Sequence, residues 1–144
     1  VGGGVGMACA GDYCFATKFS SIKLSELAVG IGPFVVGPAV ERKSGLSAYS
    51  TLSINATKWF DANWAREKGI YSEVFDSNHE MDNAINLLTN ELIKSNPEAM
   101  KKLKEVFWLN TSDWDELLEE RAKYSGQLVL SEFTKKAIDK FKNK

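Results

Sequence analysis

The sequence predicts an α/β chain that closes with a helical tail. Three observations carry this. Residues up to about 75 are rich in glycine and in short apolar runs with frequent breaks, which suits short strands alternating with helices. Residues from Ser77 onward read as punctuated helices, each opened by a capping residue. The 144 residues are 44% hydrophobic and 26% charged, enough for one sizeable core and hardly for two domains. The expected division is therefore a mixed portion over 1–76 and a helical region over 77–144.

The elements follow in order. Val5 to Ala10 can form a short helix entered from the glycines of VGGGVG. Tyr13-Cys14-Phe15-Ala16 and Ile22-Lys23-Leu24 are strand candidates. Gly37 to Lys43 predicts a helix ended by Gly45 as a left-handed cap, and Thr57 to Lys68 another closed by Gly69. Ile70 to Phe75 returns as an extended segment. In the tail, Ser77-Asn78-His79-Glu80 has capping-box spacing, and Met81, Ala84, Ile85, Leu88 and Leu92 recur on one helical face. Ser95-Asn96-Pro97-Glu98 repeats the device, with Met100, Leu103, Lys104 and Phe107 behind it. A third tail helix starts near Ser112 or Asp113, carrying Trp114, Leu117, Leu118 and Arg121. Ser131-Glu132 opens the last, with Ala137, Ile138 and Phe141 on its apolar side.

Composition removes several functions. A formal net charge of −1 gives no global reason to bind nucleic acid or an anionic membrane, although TKKAIDKFKNK closes the chain with a basic cluster. No apolar run is long enough to span a bilayer, and the start does not read as a secretory leader. Cys9 and Cys14, the only cysteines, match no zinc or redox spacing, and the single His79 cannot complete a metal site with them. No metal is expected, and the thiols read as reduced and packed in a cytoplasmic protein.

The glycines of VGGGVG fit neither common phosphate motif. Counting from Gly2 the sixth position of a dinucleotide fingerprint is Met7, and from Gly4 it is Cys9, where glycine or alanine is required. The P-loop signature is absent. Two readings stay open on the glycines alone. One is a turn presenting backbone N–H groups to an oxyanion or phosphate; the other is close packing of the turn against a neighbouring strand.

Three longer stretches add to this. KLSELAVGIGPFVVGPAVERKSG (Lys23 to Gly45) sets one carboxylate, Glu26, among apolar residues and glycines, with Gly30 and Pro33 following. INATKWFDANWAREKGIYSEVFDS carries Ala62 and Ala65 ahead of Gly69, and SEFTKKAIDKFKNK ends with Phe141 and Lys144. In their order and spacing from the GGG turn these resemble the enoyl-CoA hydratase/isomerase (crotonase) family over essentially the whole chain. The resemblance implies the C-terminal portion of a crotonase-like ββα superhelix, with an N-terminal half of repeated turns expected ahead of residue 1.

What the resemblance implies about chemistry attaches to particular positions. Gly3 corresponds to a backbone N–H donor to the thioester oxygen, and a second donor is expected from the N-terminal half. Glu26 corresponds to the general acid/base. Gly6 stands where two-glutamate hydratases carry their other carboxylate, a departure that leaves one base. Gly2, Gly6, Pro33 and Phe34 are expected at the acyl group, Phe34 narrowing a pocket for a short or branched enoyl chain. Phe141 and Lys144 match positions that contact the adenine and 3′-phosphate of coenzyme A. Asp12 is expected to be structural, and Trp59, Trp64, Trp108 and Trp114 to serve core or subunit contacts. The expectation is an acyl-CoA enzyme, a homotrimer or hexamer, with coenzyme A entering only as part of the substrate. It would hydrate a 2-enoyl-CoA; the alternatives are a single-base 3-enoyl-CoA to 2-enoyl-CoA isomerase, or a coenzyme A-binding relative or fragment without turnover.

Overall fold

The computed structural model describes residues 1–142, with side chains through residue 140. Lys144 and the side chain of Phe141 lie outside the described residues. The chain runs α1 (Gly3–Ala10), β1 (Phe15–Thr17), β2 (Ser21–Ile22), a single 3-10 turn (Glu26–Val29), α2 (Gly37–Ile54), β3 (Phe60–Asp61), α3 (Ala62–Glu67) and β4 (Glu73–Phe75). Four tail helices follow: α4 (Asn78–Lys94), α5 (Pro97–Phe107), α6 (Trp114–Val129) and α7 (Glu132–Lys142).

Strand pairing is brief. β1 runs parallel to β4, with Ala16 opposite Val74, and β2 runs antiparallel to β3, with Ile22 opposite Phe60. These ladders hold α1, α2 and α3 around one core. Val5 and Cys9 of α1, Val40 and Leu52 of α2, Ala65 of α3, and Leu24 and Ile70 from the connections all meet there, each almost wholly shielded from solvent. Burying a side chain such as Leu24 or Leu52 contributes about 1.5–3 kcal/mol, so this cluster dominates the stability of the mixed portion.

Two expectations are corrected. The helix that opens at Gly37 is interrupted at Gly45 as expected, but not by a left-handed cap. Gly45 takes φ 77° and ψ 160°, which ends one helical segment, but a second begins at once and runs to Ile54. Ala48 and Leu52 on its inner face are buried, which offsets the poor propensity of its serines. Ser44, Thr51 and Ser53 turn their hydroxyls back to carbonyls four residues earlier. The second correction concerns Thr57 to Lys68. Phe60 is drawn into a strand by pairing with Ile22, so the helix starts only at Ala62, capped by Asp61 accepting from the Trp64 N–H at 2.8 Å.

The tail docks through polar anchors as well as apolar contact. None of α4, α5 and α6 contains a fully buried residue. The half-buried Met81, Ala84, Ile85 and Leu88 mark the inner stripe of α4, which packs on β1 and β4. α5 is pinned by Asp12, in the α1–β1 connection. The Asp12 carboxylate accepts from Lys104 Nζ at 2.6 Å and from Trp108 Nε1 at 2.8 Å, and the Arg42 guanidinium lies 4.0 Å from the Trp108 ring centroid. Lys43 donates to the Gly11 and Asp12 carbonyls at 3.1 and 2.7 Å. Asp12 therefore joins α1, α2 and α5 at one point, the structural role expected of it. Of the tryptophans, Trp64 packs against the core, Trp108 and Trp114 meet edge to face, and Trp59 is half exposed beneath Lys23 Nζ.

Candidate active site

The site begins with the glycine turn. Gly2 adopts φ 53° and ψ −118°, a conformation that a side chain would strain, and this lets the chain enter α1 at once. Its N–H donates to the Lys23 carbonyl at 3.0 Å, tying the turn to the segment that follows β2. Its carbonyl accepts from Val5 and Gly6 at 2.9 and 3.2 Å, and the Gly4 N–H donates to Val1 at 3.1 Å. That leaves the Gly3 N–H without an acceptor among the described residues. Gly3 is exposed, and nothing stands within 4 Å of where its Cβ would be. An unpaired donor at the positive end of a helix, open to an incoming atom, suits an anionic oxygen.

Glu26 is brought to the same place by the other partner of that bond. Leu24, fully buried, anchors the segment, and Lys23 holds it to Gly2. The 3-10 turn then presents Glu26 and is closed by Gly30 at φ 85°, whose N–H bonds to the Leu27 carbonyl at 3.1 Å, while Ile31 N–H bonds to that of Glu26 at 3.0 Å. As a result Glu26 Oε1 lies 2.9 Å from the point where a Cβ on Gly2 would stand. The carboxylate rests directly on the glycine turn. Its other oxygen, Oε2, is buried without a hydrogen-bond partner among the described residues. An unpaired buried carboxylate oxygen costs stability unless something uses it.

Gly6 faces Val36. It is buried on α1, and a Cβ there would meet Val36 Cγ1 at 2.8 Å. Space at position 6 is taken by Val36, which physically explains why no second carboxylate can sit there. Pro33 is buried, and its carbonyl accepts from Tyr49 Oη at 3.2 Å. The Phe34 ring folds back over Gly32, where a Cβ would come within 2.4 Å of it, and meets Tyr124 of α6 edge-on at 5.8 Å between centroids. Gly2, Gly3 and Glu26 are thus brought together, while Gly6, Pro33 and Phe34 lie in packed surroundings beside them.

Other chemistry is sparse. Cys9 is buried, which pushes its thiol up to about 11, and Cys14 is raised for the same reason, so neither is an available nucleophile. No cluster of metal-ligating side chains occurs among the described residues. A cleft of about 340 Å³ lined by Lys23, Ser25, Ala28 and Thr57 flanks the turn that carries Glu26. A larger one of about 510 Å³ lies between α2 and α6, bordered by Arg42, Tyr49, Trp114 and Arg121 but not by Glu26 or the glycine turn. Sequence reading missed the contacts behind the carboxylate, Val36 on Gly6 and Thr134 on Gly30. The capping pattern of Ser131 and the closing stretch SEFTKKAIDKFKNK placed α7 in the sequence, but not the contact of Thr134 with Gly30.

A family model described as enoyl-CoA hydratase/isomerase matches residues 1–144. The chain belongs to that family. Comparison with curated proteins finds no match. Among solved structures, an enoyl-CoA hydratase from Mycobacterium avium superposes with a TM-score of 0.82 at 24% identity, covering 99% of this chain and 55% of its own. An enoyl-CoA hydratase/isomerase from Pseudoalteromonas atlantica T6c gives 0.87 at 17% identity, covering 99% and 57%. An enoyl-CoA hydratase from Shewanella pealeana gives 0.65 at 26% identity, covering 98% and 52%. The likeness establishes the crotonase fold, and the chain spans about half the length of the solved relatives it matches. Among the described residues, no helix is long and apolar enough to cross a membrane.

Proposed function

We propose that this chain carries the enolate-forming part of an acyl-CoA active site. The observation that carries the reading is the contact of Glu26 with the glycine turn whose Gly3 N–H is free. The thioester oxygen of an enoyl-CoA accepts that N–H, and a second donor comes from outside residues 1–144. Each such donor contributes on the order of 3 kcal/mol to stabilising the developing enolate. Glu26 then works as a single acid/base. In hydration its carboxylate takes a proton from water as the oxygen bonds to C3, and the same proton is delivered to C2. Water is consumed and Glu26 is regenerated.

Isomerisation of a 3-enoyl-CoA is the second reading, favoured by the packing of Val36 against Gly6 that leaves one carboxylate. Here Glu26 removes a proton from C2 and returns it to C4 as the double bond moves into conjugation. Phe34, held against Gly32 and Tyr124, limits the acyl group to a short or branched chain. Coenzyme A is part of the substrate, with Phe141 and Lys144 at its adenine and phosphate end, and no further cofactor takes part. The region over 77–144 supports assembly into a trimer or hexamer, since α5 leaves Leu103, Val106 and Phe107 half exposed. The family's chemistry and the reduced thiols fit a cytoplasmic setting.

A panel of 2-enoyl-CoA and 3-enoyl-CoA thioesters in deuterated water tests this. Hydroxylated product with deuterium at C2 supports hydration. Bond migration without hydroxylation supports isomerisation, with protium retained at C4 where Glu26 passes the C2 proton on directly. Tight binding of the thioesters with neither hydroxylation nor bond migration in any of them contradicts turnover.

A further inference from the structure

We propose that Thr134, on the terminal helix, is a positioning residue for Glu26, seating the turn that presents the carboxylate to Gly2 and Gly3. The proposal rests on the reading of Glu26 as the acid/base and adds the element that holds it. Thr134 is fully buried, and among the residues of α7 whose side chains are described it is the one that is. Its surroundings explain why. A Cβ placed on Gly30 would stand 2.6 Å from Thr134 Oγ1 and 2.5 Å from Phe133 Cδ1, so both side chains press on the Gly30 backbone.

Gly30 is the closing residue of the Glu26 turn. Its φ of 85° carries the chain out of the turn, and the amides of Gly30 and Ile31 donate to Leu27 and Glu26. Displacing Gly30 therefore moves the residue whose carbonyl Ile31 holds. Glu26 Oε1 sits 2.9 Å from a Gly2 Cβ position, so the carboxylate occupies the space that a side chain on Gly2 would need. The rotamer of Thr134 is itself fixed. Ser131 Oγ accepts from the Thr134 N–H at 3.2 Å and donates to Thr134 Oγ1 at 3.2 Å. The chain of contact runs Ser131, Thr134, Gly30, Glu26, Gly2, and it joins the first and last helices of the chain through the candidate base.

The test compares T134A, which removes both the Oγ1 contact and the methyl, with T134V, which keeps the shape. In T134A the amides of Gly30 and Ile31 should exchange with deuterated water at least about tenfold faster while those of β1 and α2 stay protected. In the same variant kcat for α-proton exchange should fall about 10- to 100-fold, since an ångström of misplacement is enough for that, with KM nearly constant. T134V should stay near the unsubstituted protein in both. Unchanged Gly30 and Ile31 amides in T134A overturn the proposal, and so does loosened exchange with an unchanged kcat. If the unsubstituted protein exchanges no α-protons, the catalytic reading fails separately. The amides then decide: faster exchange in T134A upholds the seat, and unchanged exchange overturns it.

Discussion

Gly6 and Gly4 occupy the same helix and differ in what surrounds them, so replacing each with alanine isolates one packing term. At Gly6 the new Cβ would lie 2.8 Å from Val36 Cγ1 and 3.0 Å from Val36 Cβ, where carbon atoms settle at about 3.5–4.0 Å. Overpacking of this kind costs about 1–3 kcal/mol. Alanine in a helix interior gains up to about 1 kcal/mol over glycine, which leaves Gly6→Ala destabilised by about 0–2 kcal/mol. At Gly4 nothing lies within 4 Å, so Gly4→Ala keeps the propensity gain alone. The two variants should thus differ by roughly the clash itself, about 1–3 kcal/mol, or some 2–4 °C of melting temperature for each kcal/mol. Urea unfolding of both, and of Gly6→Ala combined with Val36→Ala, measures it. Trimming Val36 should recover most of the loss, giving a coupling of at least about 1 kcal/mol. Equal stability of Gly4→Ala and Gly6→Ala, with no coupling to Val36, would refute the claim that Val36 closes position 6 to a second carboxylate.

Further expectations concern the tail. Burial pushes the Asp12 carboxyl up, but the Lys104 and Trp108 hydrogen bonds and the nearby Lys104 and Arg42 charges outweigh it and hold the group below its ordinary 3.8. A depressed folded value means that Asp12 stabilises above that pH and loses its contribution as the pH falls through the folded value. Asp12→Asn should therefore loosen α5 at pH 7, by about 1 kcal/mol or less, and should converge with the unsubstituted protein as the pH falls below 3.8 and through the lowered folded value, as read by Trp108 fluorescence. At the start of α5 the Asn96 side-chain Oδ1 accepts from the Glu98 N–H at 2.9 Å and the Ala99 N–H at 3.4 Å, whereas Ser95 Oγ donates back to the Glu91 carbonyl. Asn96→Ala should cost about 0.5–2 kcal/mol by chemical denaturation, and Ser95→Ala distinctly less.

Much of the tail was legible because its signals are local. Ser77 accepts from the Glu80 N–H as the capping spacing requires, although the Glu80 carboxylate reaches the Asp76 N–H rather than that of Ser77. Pro97 stands at the first position of α5, and Gly69 turns at positive φ just beyond α3. The mixed portion was harder, because its decisive contacts lie far apart in sequence. Phe60 becomes a strand residue only through Ile22, and the serine-rich second half of α2 is helical because Ala48 and Leu52 reach the core. In the site, Gly3 and Glu26 could be named from the order of motifs. Their contact depends on the Gly2 to Lys23 hydrogen bond, and the seat behind Glu26 on a helix more than a hundred residues away. Nothing local in ELAVG announces Thr134.

The central claim is that Glu26 moves a proton at the carbon beside a thioester held by Gly3. It is met most directly by the exchange of α-protons of a saturated acyl-CoA in deuterated water, followed by NMR for the unsubstituted protein and Glu26→Gln. The account predicts measurable exchange that falls by about 10²–10⁴-fold in Glu26→Gln, with thioester affinity retained. Exchange at an equal rate in the two proteins would contradict it.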